Sequence, residues 1–375
     1  MGNTFLTPSI IAKEAMMQLR ANTVMAGLVH RDYSKEFVAG VGDTVTIRKP
    51  ATFEAKEFNR STGIEIQDAT EGSDSIKLDK LLDVSFEVTA EQLTMDIARF
   101  SEQLLQPAMQ SFAQKIDLYL LGLYKEIEAT SGTAGTTPST IASITDARQV
   151  LNENKVPLAN RRLVIDPAAE NGFLKIDTFH EADKIGDNGT ALREASLGRK
   201  FGFDIFTDQN VLKHTIGTLA PASGNIKVKA AATKGASTIT LTGTTLTGTL
   251  VKGDILTIAD KKYVVAADAT VADGDIAVTI YPGLFADVAA NAVVTITAVH
   301  TANLAFHKNA FALVTRPIAL PKGIAEGQKA IVNYDGFGLR VIYDYNSQYK
   351  KDVISIDMLC GVKTLNPELA VRLLG

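Results

Sequence analysis

The chain has 375 residues, 46% of them hydrophobic and 21% charged, with a formal net charge of −4. A chain this long can bury roughly three-quarters of its unfolded surface, so two or three domains are expected and no disulfide or metal staple is needed. The acidic balance argues against a basic-stripe nucleic-acid binder. The single cysteine rules out an internal disulfide, and no apolar run approaches the roughly 18 residues of a membrane span.

The first residues, MGNTFLTPSIIAKEAMM, lack a basic segment followed by an apolar one, so no signal peptide is read there. Leu6 stands where a myristoylation pattern needs Ser or Thr. Pro8-Ser9 opens a helix predicted over 8–29, with Ile11, Ala15, Met16 and Leu19 at helical spacing. A strand is predicted from Val41 to Lys49, ended by Pro50. The polar stretch FEAKEFNRSTGIEIQDATEGSDS follows. A second extended region over 76–89 then places Val84, Phe86 and Val88 on one face. Together they make an extended hairpin with a long charged tip, and such loops are functional or mobile.

Residues 90–128 carry the strongest helical pattern: Leu93, Ile97, Phe100 and Leu104, then Ala108, Phe112, Ile116, Leu120, Leu123 and Ile127. Pro107 lies between the two sets. The reading is a short helix ending near Leu105 and a long one starting near Pro107 and spanning ~33 Å. SGTAGTTPST (131–140) is a loop, 142–154 a helix, and Leu163–Ile165 a strand stopped by Asp166-Pro167.

From Ser223 to His300 the composition shifts to Thr, Ala, Val and Gly. Six short strands are predicted at 225–229, 237–242, 254–258, 261–266, 276–280 and 292–298, which indicates a small barrel or sandwich. After 303 the earlier character returns, the mark of one domain inserted into another. VGDTVTIRKP (41–50) and KGDILTIADKKYVV (252–265) share a phrase but nothing around it. The phrase is a Gly-Asp turn feeding a β-branched strand, not a domain repeat.

No catalytic constellation emerges. A P-loop, a nucleophile elbow and HExxH are all missing, and Gly336-Phe-Gly338 lacks the third glycine of a dinucleotide fingerprint. The histidines at 30, 180, 214, 300 and 307 lack ligand spacing and read as surface or capping residues. Arg161-Arg162 reads as a solvated pair and Cys360 as a buried small hydrophobe. Asp268, Asp273 and Asp275 in AADATVADGDI admit three readings: a turn built on Asp-Gly, a charged contact loop, or a cation site whose spacing fails the EF-hand pattern. The residues alone point to a structural or interaction role, with no catalytic, cofactor-binding or metal-ligating residue.

Four stretches resemble the major coat protein of tailed bacteriophages, in the branch typified by short-tailed enterobacterial phages. They are the hairpin running into QPAMQSFAQKIDLYLLG; LVIDPAAENGFL with LGRKFGFDIFTDQNV; NLAFHKNAFALVTRPIALP (303–321); and LRVIYDYNSQYKKDVISIDMLCGVKTLNPELAVRL. The resemblance implies an α+β, Hong Kong-type capsid fold. It divides the chain into an N-terminal arm (1–40), an extended β-hairpin loop (41–89), a peripheral domain with a spine helix (90–140) and the first part of an axial domain (141–222). An inserted all-β barrel (223–300), the axial return (301–330) and the peripheral C-terminal strands (331–375) complete it.

It further implies a subunit that self-assembles through pentamers and hexamers into the icosahedral head shell of a virion. Assembly would occur in the host bacterial cytoplasm with scaffolding and portal proteins. The shell would enclose double-stranded DNA without sequence-specific binding, with no membrane, cofactor or enzymatic activity. Candidate intersubunit contacts are Glu54, Lys56, Glu57, Phe58 and Arg60 at the hairpin tip, and Asp268, Asp273 and Asp275 in the insert. Two other readings stand beside it: the shell protein of a capsid-derived nanocompartment, and an enzyme with an accessory β domain.

Overall fold

A computed structural model of the chain describes residues 7–31, 44–49, 60, 72–88, 101–180, 195, 197–334, 337–346 and 351–375. The chain divides into two compact units, Met1–Arg20 with Arg31–Met109 and Leu313–Leu365, and Ala21–His30 with Gln110–Ala312 and Asn366–Gly375.

The first unit is built on a five-stranded sheet whose backbone is the 14-residue strand Lys351–Thr364. It pairs antiparallel with Phe337–Asn346 and with Lys80–Val88. Alternation decides which side is inside. Ile354, Ile356, Met358 and Cys360 are all fully buried, opposite Phe86, Val84 and Leu82 on one neighbour and Val341 and Leu339 on another. Cys360 is thus the small hydrophobe its context predicts, its thiol pushed up to about 12 by burial. On the other face Arg340 and Asp357 sit directly opposite each other, joined by three hydrogen bonds of 2.6–3.0 Å. The strand Thr44–Lys49 pairs antiparallel with Gly72–Lys77. Gly361 lies where a Cβ would overlap the Lys77 carbonyl, so only glycine permits that approach. The helix Pro8–Asn22 buries Ile11, Ala12, Ala15, Met16 and Leu19, as their spacing predicts.

The boundary before Pro107 falls where expected, but the pieces on either side differ in pitch and length. A wide π-type turn, Ser101–Leu105, runs directly into the α-helix Gln106–Leu121, which tightens to a 3-10 turn at Gly122–Glu126. Pro107 has no N–H to offer the preceding turn, and a widened turn accommodates the missing bond without a full break. Gly122, the weakest helix former here, marks the change of pitch at the other end.

The second unit holds a sheet in the order Thr130–Ser131, Ala370–Leu374, His300–His307, Arg161–Ile165, Phe203–Thr207, Arg199–Lys200, with Lys213–His214 added beside His300. Two helices cover it. Ile141–Glu153 is capped by Thr140, whose hydroxyl accepts from the Ser143 amide. Pro167–Leu174 is capped by Asp166, with Pro167 in the first turn. Asp166-Pro167 therefore ends the strand by starting a helix. Ile144, Leu151, Leu163, Ile165, Phe173, Phe203 and Leu373 close the core between them. The last strand, Ala370–Leu374, pairs with His300–His307 and not with the C-terminal strands it was read with. All five of its residues are buried, which suits an interior position and not an edge.

The six strands predicted in the insert all form, within two residues of expectation. They close a barrel in the order Thr238–Thr244, Asp275–Tyr281, Lys261–Val265, Ile255–Ile258, Val293–Ile296, Ser223–Val228. Inward residues alternate with polar outward ones, and Val228, Leu241, Leu256, Val265 and Val278 are at most 1% exposed. Among the described residues, no helix is long and apolar enough to cross a membrane.

Candidate functional site

The barrel is seated on the second unit's sheet through a neck of backbone contacts. The chain leaves the sheet at Lys213–His214 and returns at His300–Thr301, and these two segments pair with each other. The Leu219 amide donates to the Thr249 carbonyl at 3.0 Å, and Ala220 and Thr247 exchange two more bonds of 3.0 and 3.1 Å. Gly217 and Gly248 lie where any Cβ would overlap the backbone of Thr249 and Thr218. The neck is narrow because its two sides touch main chain to main chain.

Beside it lies a buried polar chain. Gly253 adopts φ 102°, and a Cβ there would come within 2.9 Å of Lys125 and 3.2 Å of His214. The turn it makes turns Asp254 inward, fully buried. Asp254 Oδ2 accepts from the amides of Val251 (2.9 Å) and Gly217 (3.1 Å), and Oδ1 faces His214 Nε2 at 2.8 Å. His214 Nδ1 in turn faces the Tyr124 hydroxyl at 2.8 Å. Burial pushes that phenol up to about 12, so it keeps its proton. Facing an acceptor-only carboxylate, Nε2 is the nitrogen that donates to Asp254.

Arg372, fully buried, closes the cluster. Its guanidinium lies 5.2 Å from the Tyr124 ring centroid and donates from Nη1 to the Gly253 carbonyl at 2.8 Å. Burial opposes its charge, while Tyr124, Glu128 and Asp254 favour it. The His300 ring lies tilted 5.3 Å from that of His214 and donates from Nδ1 to the Ala298 carbonyl; burial pushes it down to about 4, so it is neutral. Two further links tie barrel to sheet: Lys252 pairs with Glu126 at 2.8 Å, and Lys262 donates to Thr130.

A tyrosine–histidine–aspartate relay is familiar from acid–base catalysis, but here Tyr124, His214 and Asp254 are only 3%, 2% and 0% exposed. No substrate atom reaches them. What the arrangement does is fix the barrel on its seat through bonds that all require a buried partner.

This corrects two sequence expectations. His214 and His300 are interior residues, not surface ones, because the insert covers them. His307 is a capping residue as expected: buried, it caps the 3-10 turn Lys308–Ala310 by accepting from the Asn309 amide. Arg161 is 2% exposed and donates to the carbonyls of Val156 and Pro157 and to Asn152, while Arg162 donates to the Leu28 carbonyl. Arg161 is therefore interior, while Arg162 is half-buried.

The predicted contact residues fall in two places. Glu54, Lys56, Glu57 and Phe58 lie outside the described residues, and Arg60 is exposed. Asp273 and Gly274, at φ 52° and 80°, form the two-residue turn between Ala272 and Asp275. Asp268 is exposed and accepts from the Lys252 amide at 2.6 Å. Asp275 is paired with Lys229 of its own chain, which holds its carboxyl below the usual range. The three acids do not converge. Asp254 was visible only as a turn residue; nothing in the sequence connects it to His214 or Arg372.

No family model and no curated protein matches the chain. Solved structures do. A chain of Mycobacterium phage Che8 is 14% identical, with 93% of this chain and 90% of that one covered at a TM-score of 0.53. The mature capsid of bacteriophage PhiM1 is 12% identical, covering 94% and 86% at 0.48. The capsid of cyanophage P-SCSP1u is 14% identical, covering 89% and 84% at 0.44. The likeness to the Che8 chain is one of fold.

Proposed function

We propose that the chain is a structural subunit of a closed protein shell, the major capsid protein of a tailed phage. The observation that carries this reading is the likeness of fold to the Che8 chain over nearly the whole length of both. In this reading the fold has the Hong Kong-type layout. Residues 1–40 and 41–89 are arm and extended loop reaching neighbouring subunits, Gln106–Leu121 is the spine helix, and 223–300 is an inserted barrel. Self-contacts build pentamers and hexamers. Scaffolding and portal proteins are the other partners, the cargo is double-stranded DNA held by confinement, and the place of the protein is the virion head.

Within this reading Asp268 and Asp273 are the barrel's contacts with a basic residue of a neighbouring copy. Asp275 is engaged by Lys229 and contributes less. The hairpin residues Glu54, Lys56, Glu57, Phe58 and Arg60 make the other contact. Electron microscopy and sedimentation of the purified full chain test the proposal. Closed particles of uniform size, or five- and six-membered rings, are expected. A monomer that stays monomeric across concentration and ionic strength overturns it.

A further inference from the structure

A polar cavity of about 190 Å³ lies beside the helix Gln106–Leu121, lined also by the Asn22–Val24 link and by the turn after the Phe203–Thr207 strand. Two carboxylates line it, Asp117 and Asp208, 1% and 3% exposed. Gln110, Gln114, Gln209 and Asn210 surround them, and among the described residues none that lines it is basic.

Both oxygens of Asp117 are answered, but only one of Asp208. Asp117 accepts from the amides of Val24 and Ala26 at 3.0 and 3.3 Å. Asp208 Oδ1 accepts from the backbone and side-chain nitrogens of Asn210 at 2.8 and 3.0 Å. Asp208 Oδ2 is buried with no hydrogen-bond partner among the described residues. Burial, and then the charge of Asp208, pushes the Asp117 carboxyl up to about 7. Two neighbouring buried acids, one with an orphaned oxygen, are destabilising unless a cation compensates them.

The donors here are oxygens alone, without His or Cys, which selects a hard cation over zinc. A lining of two carboxylates among several side-chain amides suits the flexible six-to-eight-oxygen shell of calcium better than the strict octahedron of magnesium. A water takes about 30 Å³, so the cavity holds an ion and several waters. Among the described residues no three His, Cys, Asp or Glu side chains converge as ligands, so the affinity rests on two charges.

We propose that this cavity binds a calcium ion, with Asp117 and Asp208 as its charged ligands and side-chain amide oxygens and water completing the shell. The ion ties the Asn22–Val24 link, the helix and the Thr207–Asn210 turn together. This holds whether or not the chain builds a shell.

The test is calorimetric titration of the chelator-treated full chain with calcium chloride. Magnesium chloride and ionic-strength-matched sodium chloride run in parallel, with thermal unfolding recorded alongside. One saturable calcium site per chain is expected, with a Kd of roughly 10⁻⁴–10⁻³ M, weaker uptake of magnesium, and a Tm that rises with calcium. Asp208→Asn is expected to weaken calcium binding roughly tenfold or more while its Tm in chelator is no lower than the parent's, because a buried like charge is gone. A second variant, Gln114→Leu, on the exposed side of the helix, is expected to weaken binding as well. Absence of saturable uptake up to about 10 mM, or unchanged affinity in both variants, overturns the site. Magnesium binding as tight as calcium overturns its assignment to calcium.

Discussion

His214 Nε2 and Asp254 Oδ1 lie 2.8 Å apart, 40 residues apart in sequence, one on the sheet and the other at the mouth of the barrel. Both are buried, and Asp254 also answers the amides of Val251 and Gly217. Removing the carboxylate strands three donors at once. Asp254→Ala is therefore expected to destabilise the chain by about 3–5 kcal/mol, and Asp254→Asn by less, since one acceptor oxygen remains. Urea unfolding reports both; a loss under about 1 kcal/mol for the alanine variant would show that the bond does not hold the barrel.

The same residue behaves differently once two of its three partners, His214 and Gly217, are gone. A fragment of residues 218–299 keeps the closed barrel and most of its core but lacks His214, Gly217 and Glu126. It is expected to give a β-rich, cooperatively melting domain of marginal stability. In that fragment Asp254→Asn should have little effect, because the carboxylate is then open to water. A large loss in the fragment would place the role of Asp254 inside the barrel.

His300 is kept neutral by burial, its pKa lowered from 6.5 to about 4. A depressed base means that the unfolded chain binds the proton first. Its contribution is complete above about pH 6.5 and is lost as pH falls toward 4, by up to about 1.4 kcal/mol per pH unit. Asp117, raised to about 7, has the opposite slope. The informative quantity is thus the stability difference between the parent and His300→Gln at each pH. It should shrink between pH 6.5 and 4, and a pH-independent difference refutes the assignment.

Arg340 and Asp357 face each other across two strands in a bidentate pair, their side chains 16% and 6% exposed. Arg340→Ala leaves a buried carboxylate without its cation and is expected to lose about 3 kcal/mol or more. Lysine cannot reproduce the fork and should recover only part of it. Equal stabilities for the alanine and lysine variants would mean that the pair contributes packing alone.

Pro107 stands at the second position of its helix, where the missing N–H is already accommodated by the wide turn before it. Pro107→Ala should change stability by less than about 1 kcal/mol. Leu120→Pro, inside the helix at a fully buried position, should prevent folding. Circular dichroism and the soluble yield distinguish the two; a folded Leu120→Pro chain would refute the helix.

The local elements were legible in the sequence because their causes are local. Alternation placed all six barrel strands, Asp-Gly wrote the turn at Asp273-Gly274, and the 3.6-residue period placed the buried stripe from Ile11 to Leu19. Cys360 was read correctly because its apolar neighbours alternate with it into one core face. What the sequence withheld is what depends on partners far along the chain. Burial of Arg161, His214, His300 and Arg372 follows from elements laid over them, and a charged or imidazole side chain carries no local sign of that. Asp254 joins His214, and Asp117 joins Asp208, only because a closed barrel and a sheet edge bring them together. Periodicity reports which face of an element is apolar. Only the tertiary structure decides which polar groups that face is closed against, and those pairings hold the barrel on its seat.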